Sequence, residues 1–127
     1  MAFEAVQDTF TAPAAADLSA NQFYACSYDA NANLTIAAAG KNMDGILQTK
    51  PKAAEAAQFC RDGYSKAAIT AGVAVTIGQL LQVDAGGTFT PVTSGTAVAK
   101  ALQAIASGGT AVTYITVEIL RSNAVFS

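Results

Sequence analysis

Residues 112–120 alternate without a break: Ile115, Val117 and Ile119 fall on one side, Tyr114, Thr116 and Glu118 on the other. Successive side chains of an extended chain point to opposite faces, so this period buries one face and wets the other only in a strand. A strand alone can neither pair its backbone groups nor cover its apolar face. The rest of the chain must therefore supply a sheet.

Several further short strands are predicted. Residues 22–28 alternate Phe23, Ala25 and Ser27 with Tyr24, Cys26 and Tyr28, and the Asp- and Asn-bearing residues 29–33 turn the chain. Leu34 and Ile36 begin a second strand and residues 45–49 form a third. Residues 57–61 form a fourth, ended by the turn signal Asp62-Gly63. Residues 71–82 are ambiguous: Val73, Val75 and Ile77 alternate, Gly72 and Gly78 interrupt, and Leu80 and Leu81 open a run to Val83. Asp84-Ala85-Gly86-Gly87 is a turn. Residues 89–92 make an edge-like piece, because Pro91 has no N–H to donate. Residues 98–106 fit a strand or one short helix, and Gly108-Gly109 turns the chain into the last strand. Short strands, frequent turns and little helix predict a mainly β fold, a small single-domain barrel or sandwich.

An internal repeat agrees with these strands. Gly40, Leu47, Gln48 and Ala56 recur at one constant offset as Gly95, Leu102, Gln103 and Ala111, as if two strand–turn–strand units were present.

Residues 1–15 read as an extended N-terminal arm and 16–127 as the β-rich domain. Phe3, Val6 and Phe10 are large apolar groups on a segment too short to bury them, and Pro13 interrupts any regular element. Their helical spacing leaves a short terminal helix as the alternative. In either form they need a surface to dock on, in the same chain or a neighbour, and are the candidate interface residues.

Composition narrows the function. The apolar fraction is 52%, but alanine supplies roughly a quarter of all residues, far above ordinary usage. No run approaches the roughly 18 apolar residues a spanning helix needs, and the start, with Glu4 and Asp8 and no basic residue, is unlike a secretory signal. Neither a membrane nor an export route is expected. Seven basic against nine acidic residues, with no basic cluster beyond Lys50 and Lys52, argue against nucleic acid. Only 13% of residues are charged, which suits a protein packed against other subunits.

Chemistry finds little to work with. With no histidine, the usual base and nucleophile pairs are missing. Asp17, Asp29, Asp44, Glu55, Asp62 and Asp84 are scattered singly, and Asp44, Asp62 and Asp84 read as turn formers. The loops at residues 84–88 and 107–110 lack the Lys of a phosphate-binding loop. Cys26 and Cys60 lack metal-ligand spacing and read as reduced, buried, small apolar residues. Tyr24 and Tyr28 lack the basic groove that base stacking would need, so core packing or a subunit contact is expected of them. No catalytic residue, metal, cofactor or small-molecule substrate is predicted.

ADLSANQFYA at residues 16–25 and GILQTKPKAAEAA at 45–57 resemble the capsid cement, or head-decoration, proteins of tailed bacteriophages. Residues 69–95, ITAGVAVTIGQLLQVDAGGTFTPVTSG, and 101–120, ALQAIASGGTAVTYITVEIL, fit the same family. Ala54 stands where the family usually has Gly before Glu55, and Gln79 replaces a frequent Asp. The resemblance implies a non-enzymatic structural virion protein, often a homotrimer, assembled in the host cytoplasm. Its partner would be the major capsid protein, on the outer capsid surface, where it stabilises contacts between capsid subunits. Alternatives are a tail-tube, fibre or neck subunit, or a small ligand-binding β-barrel.

Overall fold

A computed structural model describes residues 7–106 and 111–120, and the fold is mainly β. Among the described residues nine strands are present: β1 (Gln7–Pro13), β2 (Ala25–Tyr28), β3 (Leu34–Ile36), β4 (Gly45–Leu47), β5 (Ala56–Ile69), β6 (Leu80–Val83), β7 (Phe89–Pro91), β8 (Ala99–Ala101) and β9 (Thr113–Ile119). Among the described residues, helix is confined to a 3-10 turn at Ala85–Gly87, capped by the Asp84 carboxylate.

The long strand β5 organises the molecule. Cys60 pairs with Thr9 of β1 on one edge and Ile46 of β4 on the other. Gly63 pairs with Gln7 of β1 and Ile119 of β9. Ile69 pairs with Thr113 of β9 and, in parallel, with Phe89 of β7. One edge of β5 therefore carries β4 and then β9, the other β1 and then β7. The circuit β5–β7–β6–β8–β9 returns to β5 and closes a five-stranded barrel.

Asp62-Gly63 is not the turn that its composition suggests. β5 runs straight through it, and the ladder to β1 slips there, from Asp8 opposite Asp62 to Thr9 opposite Cys60. Arg61 is the extra residue of a bulge, and Gly63 takes φ +95°, a region that side chains with a Cβ rarely enter. The extra residue reverses which side chains face which way. Before it, Ala57 and Phe59 face one core and Cys60 the other; after it, Ala67 and Ile69 share the face of Cys60.

Two cores result. The larger fills the barrel with Ile69, Leu81, Val83, Phe89, Val98, Ile115, Val117 and Ile119. The inward face of β9 is thus the one its alternation predicts. The smaller lies under β3, β2, β4 and the first half of β5, and holds Ala12, Ala14, Leu18, Cys26, Leu34, Leu47, Ala57 and Phe59. A parallel bridge from Ala14 to Leu34 joins the end of β1 to β3 and nearly closes this unit too. Gly45 is needed at its centre: a Cβ there would lie 2.5 Å from the Cys60 carbonyl oxygen and 2.7 Å from a Phe59 ring carbon.

The residues 7–13 of the arm form β1, laid antiparallel along β5. The β4–β5 and β8–β9 units of the repeat are both antiparallel hairpins. Their registers differ, Ile46 pairing with Cys60 but Ala101 with Val117, two residues beyond the repeated position. The repeat's glycines meet in space: a Cβ on Gly95 would sit 2.7 Å from the Gly40 Cα. β7 lies inside the circuit rather than at an edge. Pro91 fits because only the Phe89 end of β7 reaches β5, leaving the far side of Pro91 without a ladder. Ala54 adopts φ +68°, in the left-handed region that favours glycine.

Candidate functional site

Alternation along β1 aims Phe10, Ala12 and then Ala14 at the smaller core. Ala12 and Ala14 are buried, but Phe10 is 45% exposed. Phe10 lies before the Ala14–Leu34 bridge, toward the β2–β3 turn. Its ring tilts against Phe59 at a centroid distance of 6.1 Å. Tyr28, 41% exposed, meets the same Phe59 ring edge-on at 5.6 Å. Phe59 is wholly buried, so two half-exposed aromatics form its lid.

The bulge supplies a charge to this surface. Arg61 is exposed, and its guanidinium lies 5.0 Å from the centre of the Phe10 ring, a cation–π contact. Arg61 also lines a separate shallow depression with Asp44, Asn42, Met43, Gly45, Ile119 and Leu120. The Asp44 carboxylate accepts the Tyr28 N–H at 2.9 Å, so it ties the end of β2 to the β4 approach rather than capping its own turn.

A third exposed aromatic lies on the barrel. Tyr114 is half-exposed and packs edge-on to Phe23 at 5.9 Å, with the Lys66 ammonium 5.8 Å from the Phe23 ring. Phe23 takes φ +71°, unusual for a bulky residue. Two backbone hydrogen bonds hold it there: its N–H donates to Leu47 at 2.7 Å, and its carbonyl accepts from Ala68 at 3.0 Å. The strain serves to bridge β4 and β5 and ends the alternating run before Ala25, shortening the strand expected from residue 22.

Several polar side chains have structural partners. Asp84 accepts from the Ala85 N–H and the Thr70 hydroxyl, as a turn former should. Asp17 accepts from both the hydroxyl and the N–H of Ser19, which hold its carboxyl below the usual range. Cys26 and Cys60 are buried thiols that donate to the carbonyls of Gly45 and Asp62 respectively, and burial pushes the Cys26 thiol far up, away from nucleophilic thiolate. Among the described residues, no three of His, Cys, Asp and Glu gather as a metal site.

Of the candidate interface residues, Phe10 stands on the exposed aromatic surface, and Phe3 and Val6 lie outside the described residues. Sequence reasoning missed Phe59 and Arg61 as its neighbours. Their signal was the long reach of β5, hidden by the turn-like Asp62-Gly63 pair.

No protein-family model matches the chain, and no curated protein does. Among solved structures, it is similar to the crystal structure of the N base of head fiber gp8.5 of bacteriophage phi29, with a TM-score of 0.62 at 21% identity. The match covers 94% of this chain and 98% of that one, so the two share their fold essentially end to end.

Proposed function

We propose that the chain is a structural virion protein of a tailed bacteriophage that binds the outside of the assembled capsid and stabilises contacts between capsid subunits. The observation that carries this is the end-to-end fold likeness to a phage head-fiber base, with neither chain leaving a large part unmatched. The half-exposed aromatic surface of Phe10 and Tyr28 supports it, because it offers apolar area for a partner to cover. The family resemblance of residues 16–120 points the same way and adds the homotrimer as the expected assembly.

The work of such a protein is mass action. A chain that binds the assembled lattice and not its separate parts lowers the free energy of the assembled state at every occupied site. Co-sedimentation tests this directly. The chain should pellet with expanded capsids of its own phage and stay in solution with unassembled capsid protein. Equal binding to both, or to neither, refutes the proposal. A fibre base is the second reading, favoured by the same likeness, and counting copies per shell separates it from a lattice-wide decoration.

A further inference from the structure

A groove of about 300 Å³ opens between the segment leading into β2 and the start of β9, lined by Ser19, Ala20, Gln22, Phe23, Lys50 and Tyr114. That volume is enough for a small ligand. Hydrogen bonds already fix what each polar side chain can still offer. The Gln22 Nε2 donates to the Gln48 carbonyl at 2.9 Å, which orients the amide and leaves Oε1 as an acceptor. The Ser19 hydroxyl gives its proton to Asp17 at 2.6 Å, so toward a ligand it can only accept.

The charge here is positive. Lys50 is exposed and has no carboxylate partner among the described residues. The Lys66 ammonium, 5.8 Å from the centre of the Phe23 ring, places a second cation beside the groove. Half-exposed Tyr114 supplies an aromatic wall, edge-on to Phe23. The Phe23 backbone, held at φ +71° by Leu47 and Ala68, fixes that pair in place before anything binds. The depression beside Arg61 is smaller, about 100 Å³, and holds Asp44, whose charge opposes an anion.

The complement of this set is narrow. Two acceptors call for hydroxyl donors, the ammonium groups for an anion, and the aromatic wall for a patch of C–H. An acidic peptide brings the anion but few hydroxyls. A nucleotide base fits best between parallel rings, and Phe23 and Tyr114 cross at 74°. A sugar acid carries all three features on one ring. We infer that the groove binds a sugar acid of an acidic polysaccharide. Its C–H face rests on Tyr114, its hydroxyls donate to Gln22 Oε1 and Ser19 Oγ, and its carboxylate meets Lys50.

The test uses the isolated chain and needs no capsid, so its failure leaves the proposed function standing. The probe is a tetrasaccharide of alternating glucuronic acid and N-acetylglucosamine, followed by two-dimensional amide NMR. Shifts should saturate in the millimolar range and cluster at residues 19–23, 50 and 114. The carboxyl-reduced tetrasaccharide and a short polyglutamate peptide should each bind more weakly. Tyr114→Ala should weaken binding by about five-fold and Lys50→Gln by about three-fold. Tyr28→Ala, on the Phe59 lid, should leave binding unchanged. Scattered or non-saturating shifts overturn the inference. Equal binding of polyglutamate reduces the site to a general anion contact and overturns it too, as does equal binding of the carboxyl-reduced probe. Full affinity in a folded Tyr114→Ala variant does the same. Should that variant lose its cooperative melt, Lys50→Gln, on an exposed side chain, decides: unchanged affinity there overturns the site.

Discussion

Phe59→Ala isolates the worth of the smaller core. Phe59 is fully buried, Phe10 and Tyr28 rest on its ring, and Gly45 is bare of side chain to admit it. Emptying such a site costs about 3 to 5 kcal/mol, from lost transfer energy and an unfilled cavity. Each lost aromatic pair adds about 0.5 to 1.5 kcal/mol at most, and the half-exposed partners can partly collapse inward, so about 4 kcal/mol is the working figure. For 127 residues the unfolding entropy near the midpoint is about 0.27 kcal/mol per kelvin, so Tm should fall by about 15 °C. Phe10→Ala, with nearly half of its ring already wet, should cost about 1 kcal/mol and lower Tm by about 4 °C. Thermal and urea melts followed by circular dichroism read both. Because β5 belongs to both cores, each variant should still melt in one transition with an unchanged urea slope. A Tm for Phe59→Ala within 5 °C of the parent, or a separate early transition, would refute this account of how the cores are joined.

Val117 is wholly buried on β9 opposite Ser65, so Val117→Asp places an uncompensated charge in the barrel and should leave no cooperative melt at 25 °C. Ala54→Gly should stabilise by about 0.5 to 1 kcal/mol: relieving a left-handed alanine returns about 1 to 2 kcal/mol, and glycine's extra chain entropy takes back part. A lower denaturation midpoint would count against the assigned conformation. Cys26 and Cys60 should resist alkylation at pH 8 in the folded protein and take up two equivalents once unfolded without reductant; prompt native labelling would show that the sealed interior is misassigned.

Much of this fold can be read from local pattern. β9, β3 and β4 carry alternating or apolar runs bounded by turn residues, and Asp29 caps its turn as its composition implies, accepting from the N–H groups of Asn31 and Asn33. What could not be read was a matter of range. Asp62-Gly63 has the composition of a turn, and only the pairing of β1, β4 and β9 on either side of it makes it a bulge. Pro91 looks like an edge residue because sequence does not reveal that the strand beside it stops short. Phe23 looks like the start of a strand because its left-handed backbone depends on Leu47 and Ala68, far away in the chain. The exposed surface was half visible: Phe10 is conspicuous beside Pro13, whereas Phe59 and Arg61 join it only through the long-range register of β5.

Because Gly63 is flanked by Gln7 on one side and Ile119 on the other, β1 begins and β9 ends at the waist of the molecule, about two strand spacings, roughly 10 Å, apart. The two ends are close but not equivalent. A passenger domain joined ahead of β1 would stand beside Thr9 and Thr11 of that strand, while one joined after β9 would depart from the opposite flank of β5. For anyone displaying cargo on this scaffold, the second site is the one that leaves β1 and the Phe10 surface unobstructed.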